Sequence, residues 1–234
     1  MTDHLHMHAS PSAGPPSGGL AMIRTLVTVS AISGLLIVAV FQWTLPIIKA
    51  SRAQALREAV FQVIPGVSRV TTFRLLDDGT LARLEGEDER AAKVYAGYSD
   101  AGKLTGVAIP AQGQGYQDVI KIIYGYDPGR QAIVGMKVLE SKETPGLGDK
   151  IGKDPAFLAN FDALDVTLGD DRQALRHAIE VVKAGAKQQP WQIDAITGAT
   201  ISSKAVGRML GESGRAWLPI IQRNLPTLAA QEGR

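Results

Sequence analysis

The chain has 234 residues, and its 25 Lys and Arg nearly balance its 23 Asp and Glu, giving a formal net charge of +2. This length allows one large domain or two small ones, and the balanced charge gives no support for nucleic-acid binding. Cysteine is absent, which excludes disulfides, thiolate-ligated iron–sulfur clusters and thioether-linked flavin or haem within this chain.

The N-terminal stretch is rich in Ser, Pro, Gly and His and has no apolar periodicity. We therefore predict a disordered tail over residues 1–22. His4, His6 and His8 alternate with other residues, but a flexible tail does not hold them together as metal ligands. We predict no metal site in this chain.

A long uncharged apolar run follows, from Leu26 to Leu45. Roughly twenty apolar residues are enough to cross a bilayer as one helix. Arg24 lies just before the run, and Trp43 lies near its far end, where an interfacial aromatic is common. Pro46 is expected to end the helix. We predict a transmembrane anchor over residues 23–46.

Two questions about this apolar run stay open: whether it is a cleaved signal peptide, and on which side of the membrane it leaves the following domain. Ala53-Gln54-Ala55 resembles a signal-peptidase site, but the run is long for a signal core and the site lies far beyond its end, which favours an uncleaved anchor. The positive-inside count, with Lys49, Arg52 and Arg57 after the run and only Arg24 before it, places the following domain in the cytoplasm.

The next segments predict a helix and then strands. Ser51 to Val63 has apolar residues at helical spacing, and Pro65-Gly66 ends it. Three hairpins are then expected, and successive hairpins indicate an antiparallel sheet. Their strands are Val70–Leu76 with Leu81–Leu84, Lys93–Tyr98 with Leu104–Ala108, and Val119–Tyr126 with Ala132–Leu139. The glycine-rich segment 112–116 is either a ligand loop or a simple connection.

The last third of the chain predicts helices. A short one covers Phe157–Phe161, another Arg172–Lys183, and a third Ala205–Leu218, whose apolar stripe is expected to cover the sheet. Residues past Pro226 are expected to fray. The predicted fold class is α+β: antiparallel sheet hairpins with packed helices, preceded by one N-terminal transmembrane helix.

A joint between a small-residue loop and the third helix lies at Asp194 to Lys204. Gly198 and Ala199 allow a bulky group to approach the backbone, and Ser202 or Ser203 is a candidate helix cap. The free N–H groups of such a helix favour a phosphate. The alternative without a ligand is that the hydroxyls of Thr200, Ser202 and Ser203 only cap the helix. The spacing does not match a Walker loop.

A second loop, Lys142 to Ile151, directly follows the third hairpin. Pro145 stiffens it, Gly146 and Gly148 allow tight geometry, and Leu147 offers an apolar surface to a ring. Glu143 is either an exposed charge or a hydrogen-bond acceptor for a ligand.

Both loops resemble motifs of one family. Asp194-Ala195-Ile196-Thr197-Gly198-Ala199-Thr200 resembles the flavinylation motif D-x-x-[ST]-G-A-T, and Lys142 to Ile151 resembles the K-E-T-P-G-L-G loop that accompanies it. The resemblance is to the FMN-binding G subunit of the Rnf (also Rsx) ion-translocating electron transport complex, whose FMN-binding domain is shared with the sodium-pumping quinone reductase. It covers roughly Leu26 to the end of the third helix.

The resemblance implies a cofactor and a site. FMN would be esterified through its phosphate to Thr200, whereas Thr197, with the same hydroxyl, would not be the acceptor. The implied cofactor-binding residues are Thr200, Asp194, Thr197, Gly198, Ala199, Ser203, Glu143, Thr144, Leu147 and Gly148. Thr144 would offer its hydroxyl, and no residue is predicted to be catalytic.

The resemblance also implies partners and a location. An aliphatic hydroxyl is a poor nucleophile, and no His or Cys lies in the motif to activate Thr200, so a separate flavin transferase is expected. The other partners would be membrane subunits of an Rnf-type complex. Residues 47–226 would be a periplasmic FMN-binding domain on a single-pass bacterial inner-membrane protein, and residues 227–234 a flexible C-terminus.

Two other functions stay open at this point. The first is a membrane-anchored binding or assembly module whose loop holds a phosphate without a covalent bond, or holds nothing. The second is the equivalent subunit of a sodium-pumping quinone reductase.

Overall fold

A computed structural model describes residues 18–86, 88 and 91–230. These residues divide into two compact units, one reaching to Arg52 and one beginning at Ala53. The helices are α1 (Gly18–Val63), α2 (Pro155–Leu158), α3 (Thr200–Arg223) and α4 (Leu225–Ala229). The strands are β1 (Arg69–Leu75), β2 (Leu81–Arg83), β3 (Lys93–Tyr98), β4 (Leu104–Gln114), β5 (Val119–Asp127), β6 (Ala132–Glu140), β7 (Leu164–Asp165), β8 (Glu180–Val182) and β9 (Gln192–Asp194).

The apolar run predicted as an anchor lies in α1. Among the described residues, α1 is the one helix that is long and apolar enough to cross a membrane, and the side chains of that apolar window are unburied. The expectation that Pro46 ends the helix is wrong, because α1 continues to Val63. A proline removes one backbone donor, but its fixed φ is compatible with a helix, so an interior proline can kink a helix without ending it. His4, His6 and His8 lie outside the described residues.

The second unit is built on one antiparallel sheet. Its seven strands run in the order β2-β1-β3-β4-β5-β6-β7, and every neighbouring pair is antiparallel. The three predicted hairpins are therefore confirmed, as is the α+β class. A separate two-stranded parallel sheet joins β8 to β9 just before the predicted joint.

Alternating residues of the sheet bury two different faces, as the period of two in a strand requires. One face, with Tyr95, Ala108 and Ile123, packs against the end of α1. The other face, with Val107, Ile109 and Tyr124 among others, packs against α3 and α4. The predicted apolar stripe of α3 therefore does cover the sheet, and α3 is positioned by the largest core of the protein.

Glycines on four adjacent strands receive the end of α1 and the residues that follow it, and these are Gly97, Gly106, Gly125 and Gly135. A Cβ added to Gly135 would lie 2.6 Å from the carbonyl oxygen of Val63, and one added to Gly125 would overlap the same oxygen. The backbone of α1 therefore contacts the sheet directly at its end. Any side chain at these positions would separate the two.

Two predicted elements differ in the structure. The glycine-rich segment 112–116 begins inside β4, which continues to Gln114, because Gly113 lets Met209 of α3 pack on the strand. The predicted helix Arg172–Lys183 is wrong: Arg172 has a φ of 53°, and Glu180–Val182 form β8 instead. Backbone pairing with β9 outweighs the helical spacing of the apolar residues there.

The C-terminal segment also differs from expectation. Residues predicted to fray after Pro226 form α4 as far as Ala229, and Leu228 is fully buried. The Tyr98 hydroxyl donates a 2.8 Å hydrogen bond to the Leu228 carbonyl. Residues 231–234 lie outside the described residues.

Candidate functional site

The joint between β9 and α3 is a tight turn over five residues, Ala195 to Ala199. The Ala199 N–H donates to the Ile196 carbonyl at 3.0 Å. Gly198 has a φ of 83°, in the left-handed region that favours glycine. The chain therefore reverses at Gly198 and enters α3 at Thr200.

Ser203 holds this turn from inside the protein. It is fully buried, its Oγ accepts from the Ile196 N–H at 3.1 Å, and it donates to the Ala199 carbonyl at 2.9 Å. The expectation that Ser202 or Ser203 caps the helix is wrong, because α3 begins earlier, at Thr200, and its cap position is Ala199. The two serines thereby point into the protein rather than at the helix terminus.

The N-terminus of α3 is consequently open to an anion. Ala199 makes no side-chain cap, and the first turn carries no acidic residue. The first N–H groups of a helix have no intrahelical partner, and in this 24-residue helix they carry the positive end of the macrodipole. This arrangement suits a phosphate.

Two hydroxyls of the turn are exposed, Thr197 and Thr200. Thr200 is the first helical residue, so a group on its hydroxyl would lie beside the open N–H groups of α3. Thr197 lies before the glycine reversal and outside the helix. Ala199 between them is buried. The geometry therefore distinguishes two otherwise equivalent hydroxyls.

Asp194 anchors a neighbouring loop. Its Oδ1 accepts from the N–H groups of Ala186 and Lys187 at 3.0 and 2.9 Å. Its backbone exchanges two hydrogen bonds with the side chain of the buried Asn160, at 3.0 and 3.3 Å. The contacts of Asp194 are thus to the protein itself, and a direct contact with a cofactor stays a prediction.

The Glu143 side chain forms hydrogen bonds that link both predicted loops. The side chain is only 5% exposed, so it is not the exposed charge of the first alternative. Its Oε1 accepts from the N–H groups of Tyr116 and Gln117 at 2.9 and 3.0 Å, and its Oε2 accepts from the hydroxyl of Ser202. One carboxylate therefore connects the β4–β5 loop, the Glu143 loop and the first turn of α3.

Two glycines make room for this carboxylate. A Cβ on Gly115 would lie 2.5 Å from Oε1, and a Cβ on Gly148 would lie 2.7 Å from Oε2. The Thr144 hydroxyl accepts from the amide of Gln117 at 2.9 Å. Glu143, Thr144 and Gly148 are all predicted site residues, and each lies in this internal network.

The two predicted loops meet at the turn. A Cβ on Gly198 would lie 3.6 Å from a methyl group of Leu147. The side chain of Leu147 is 49% exposed and that of Ile201, next to Thr200, is 57% exposed. Exposed apolar side chains therefore lie near the helix N-terminus, and such side chains suit a ring attached through a phosphate.

Sequence reasoning missed several contributors, and these are Ser202, Tyr116, Gln117 and Asn160 as partners of the site residues. Ser202 was visible as a hydroxyl two residues after Thr200, but its partner Glu143 is 59 residues away in the chain. Tyr116 and Gln117 contribute backbone groups, which no side-chain motif indicates.

The chemistry of this donor set fits FMN. The open helix N-terminus suits its phosphate, the exposed Thr200 hydroxyl suits an ester, and the apolar side chains of Leu147 and Ile201 suit its ring. Among the described residues, no group of His, Asp and Glu side chains is arranged to hold a metal ion.

Comparisons with known proteins identify relatives of this chain. The family profile of the FMN-binding domain matches residues 115–213, a range that includes both loops and the first half of α3. The G subunit of the ion-translocating oxidoreductase complex of Methanosarcina acetivorans is 29% identical over 188 residues, covering 79% of this chain and 87% of that protein. The protein of the same name from Shewanella baltica is 31% identical over 177 residues, covering 73% of this chain and 76% of that protein.

A solved structure shares the fold. The crystal structure of NqrC from Shewanella oneidensis matches with a TM-score of 0.52 and 24% identity, over 70% of this chain and 83% of that one. At this identity the likeness concerns the fold alone.

Proposed function

Because the chain belongs to the G-subunit family of ion-translocating oxidoreductase complexes, the Rnf type, we propose that it carries FMN as a phosphoester on Thr200. It is a flavin electron-transfer subunit of such a complex, and electrons would pass through the tethered FMN between membrane partners. The FMN supplies the redox chemistry, and the protein supplies its position and electrostatic surroundings.

The observation that carries the proposal is the environment of Thr200. Its exposed hydroxyl stands at the first position of a long helix whose cap residue, Ala199, makes no side-chain hydrogen bond to the helix. An ester phosphate there would accept hydrogen bonds from the orphan N–H groups and lie at the positive end of the dipole. Thr197 has a hydroxyl of equal chemistry without that environment.

The surrounding residues would act by positioning the acceptor. Ser203 closes the turn that presents Thr200, and Gly198 supplies its left-handed residue. Glu143 fixes the first turn of α3 through Ser202. These groups would hold the hydroxyl in one place both for attachment of the flavin and for electron transfer afterwards.

Attachment needs a second protein. The ester would form when the Thr200 oxygen attacks the flavin-side phosphorus of a flavin adenine dinucleotide, the P–O–P bond breaks, AMP leaves, and the hydroxyl proton passes to a base. No His or Cys lies within the motif to take that proton. We therefore propose that a metal-dependent flavin transferase supplies the base and the metal.

In-gel flavin fluorescence of the denatured protein tests the proposal. The wild type, Thr200→Ala and Thr197→Ala are each co-produced in full length with a flavin transferase. We expect fluorescence in the wild type and Thr197→Ala and none in Thr200→Ala. Fluorescence that persists in Thr200→Ala but disappears in Thr197→Ala would refute the assignment of the acceptor.

Absence of fluorescence in every variant, with the transferase active on a control substrate, would refute the covalent flavin itself. The non-covalent binding or assembly module would then be the better account. Copurification with the other membrane subunits identifies the complex, and recovery of quinone reductase subunits instead would contradict Rnf membership.

We also propose that the FMN-binding domain, residues 47–226, lies on the periplasmic side of a bacterial inner membrane, held by the span at residues 23–46. The resemblance to the Rnf G subunit implies this orientation, whereas Lys49, Arg52 and Arg57 oppose it. A large domain can be translocated despite nearby positive charge. Alkaline phosphatase fused after Arg234 should be active, and an inactive fusion with intact protein would contradict the orientation.

A further inference from the structure

Asn160 is a buried polar residue that lies outside both predicted motifs. Its side chain is 5% exposed, and it belongs to the 3-10 helix Ala159–Phe161 that follows α2. The phenylalanines before and after it, Phe157 and Phe161, are buried in the larger core and pack edge to face with 5.3 Å between their ring centroids. The position of Asn160 is therefore fixed by the core of the domain.

The Asn160 amide uses its whole hydrogen-bonding capacity inside the protein. Its Nδ2 donates to the carbonyl of Phe157 at 3.0 Å and to that of Asp194 at 3.3 Å. Its Oδ1 accepts from the Asp194 N–H at 3.0 Å and from Lys187 Nζ at 3.4 Å. A side-chain amide has two donors and two acceptor sites, and all four are used here. Asn160 therefore acts on other groups of the protein and not on a ligand.

Both backbone groups of Asp194 are held by this one amide. β8 pairs with the opposite edge of β9, where the Ala195 N–H donates to the Val182 carbonyl at 2.9 Å. Successive residues of a strand direct their backbone groups to alternate edges, so the N–H and C=O of Asp194 face away from β8. Asn160 pairs with these two groups as a neighbouring strand would.

Asp194 is also the first residue of the segment that ends at Thr200. On the helix side, Ser203 holds the turn between them, because its Oγ accepts from the Ile196 N–H at 3.1 Å. On the strand side, Asn160 holds the turn through Asp194. The turn that presents Thr200 is thus fixed at both ends by buried polar side chains.

We infer that Asn160 is a positioning residue for the flavin acceptor. Through Asp194 it limits the motion of the turn that carries Thr200, and it thereby limits the motion of an FMN attached there. The inference rests on the proposed function, since it requires FMN on Thr200. A reacting group is effective when packed and hydrogen-bonded neighbours hold it in one place, and Asn160 is packed and hydrogen-bonded in this way.

Hydrogen exchange followed by mass spectrometry tests the first step, the fixing of the turn. The full-length wild type and Asn160→Leu are compared in detergent, using peptides that cover residues 192–200. Leucine is similar in size to asparagine but pairs with neither backbone group of Asp194. We expect exchange at the turn to be about tenfold faster in Asn160→Leu, because a tenfold change corresponds to 1.4 kcal/mol, which lies within the cost of one buried group left without a partner.

Asn224→Leu is the matched control. Asn224 is also a buried asparagine, and its side chain bonds the Leu81 N–H and the carbonyls of Gly79 and Ile220. It lies just past the C-terminal end of the 24-residue α3, which is roughly 35 Å along the helix axis from Thr200. We expect it to lower the free energy of unfolding in urea as Asn160→Leu does, while exchange at residues 192–200 stays unchanged.

Fluorescence anisotropy of the flavin tests the second step, the positioning of the FMN. Each variant is co-produced with a flavin transferase and measured in its native state, where the nanosecond decay of the anisotropy reports motion of the flavin relative to the protein. We expect Asn160→Leu to lose part of the slow component, which reports flavin held on the protein. Asn224→Leu should retain the whole slow component, because loss of stability alone does not free the acceptor turn.

If Asn160→Leu fails to fold, Asn160→Asp replaces it. The carboxylate still accepts from the Asp194 N–H but no longer donates to the Asp194 carbonyl, so both changes should appear in that variant as well.

Several results would overturn the inference. Unchanged exchange at residues 192–200 would show that Asn160 does not fix the turn. Faster exchange with unchanged anisotropy would show that it fixes the turn without positioning the flavin. Equal changes in Asn224→Leu would show a general loss of stability. Absence of flavin fluorescence in the denatured wild type would overturn the proposed function and this inference together.

Discussion

Removing the carboxylate of Glu143 should destabilise the domain far more than removing its charge alone. In Glu143→Ala, the N–H groups of Tyr116 and Gln117 and the hydroxyl of Ser202 all lose their acceptor. In Glu143→Gln, the amide oxygen still accepts from both N–H groups, and the amide nitrogen donates to Ser202, whose hydroxyl also accepts.

The magnitude follows from the three lost partners. A buried polar group left without a partner costs roughly 1–3 kcal/mol. The Tyr116 loop reaches solvent, so water replaces part of the lost bonding and the lower end of the range applies. We expect Glu143→Ala to lower the free energy of unfolding by about 3 kcal/mol in total and Glu143→Gln by about 1 kcal/mol or less.

Urea unfolding of the full-length protein in detergent, followed by tryptophan fluorescence, measures both variants against the wild type. At a slope of about 1–3 kcal/mol per molar urea, the alanine variant should unfold at a urea concentration lower by one molar or more. A loss of about 3 kcal/mol in both variants would show that the charge itself stabilises the site. A loss of about 1 kcal/mol or less in both variants would show that the hydrogen bonds of Glu143 do not stabilise the domain.

Two further predictions concern the sheet and its tyrosines. Gly125→Ala places a Cβ against the Val63 carbonyl, and urea unfolding should show that the free energy of unfolding falls by roughly 3 kcal/mol or more. The control is Gly211→Ala, at a helical glycine with no atom within 4 Å of the added Cβ, which should be neutral or stabilising. Equal losses in the two variants would refute the close approach of α1 to the sheet. Burial raises the pKa of Tyr98 and of Tyr126 to about 12, above the ordinary value of about 10. The folded state favours their neutral form, so this stabilisation is fully present below pH ~10 and is lost as the pH rises toward ~12. Unfolding free energies measured across that window should fall, and a flat profile would contradict the assignment.

Local features were predictable because neighbouring residues carry them. The apolar run, the hairpin turns and the glycine reversal before Thr200 each depend on a few consecutive residues, and the corresponding helix, strands and left-handed Gly198 are present. Where prediction failed, a partner distant in sequence was responsible. The segment Arg172–Lys183 has helical spacing, yet Glu180–Val182 pairs with β9 and becomes a strand.

The same distinction between local and distant partners holds for the site. Thr200, Gly198 and Leu147 were recognisable from two short motifs, and the structure brings those motifs into contact. The bond between Glu143 and Ser202 was not recognisable, because it joins residues 59 apart. The start of α3 was also misplaced. A serine before an apolar stripe predicts a helix cap. Here Ser202 and Ser203 are buried, and the helix begins before them, at Thr200.

The amino-acid sequence by itself determined the apolar run, the absence of cysteine and the motif that ends at Thr200, since each is a property of composition or of consecutive residues. Only the tertiary structure decided that Glu143 joins three segments, that four glycines receive the end of α1 and the residues that follow it, and that the exposed Tyr116 lies in a loop bonded to Glu143. The physical reason is that burial and hydrogen-bond partners depend on which strands and loops become neighbours. That choice is made by packing of the whole domain, and no short stretch of the chain encodes it.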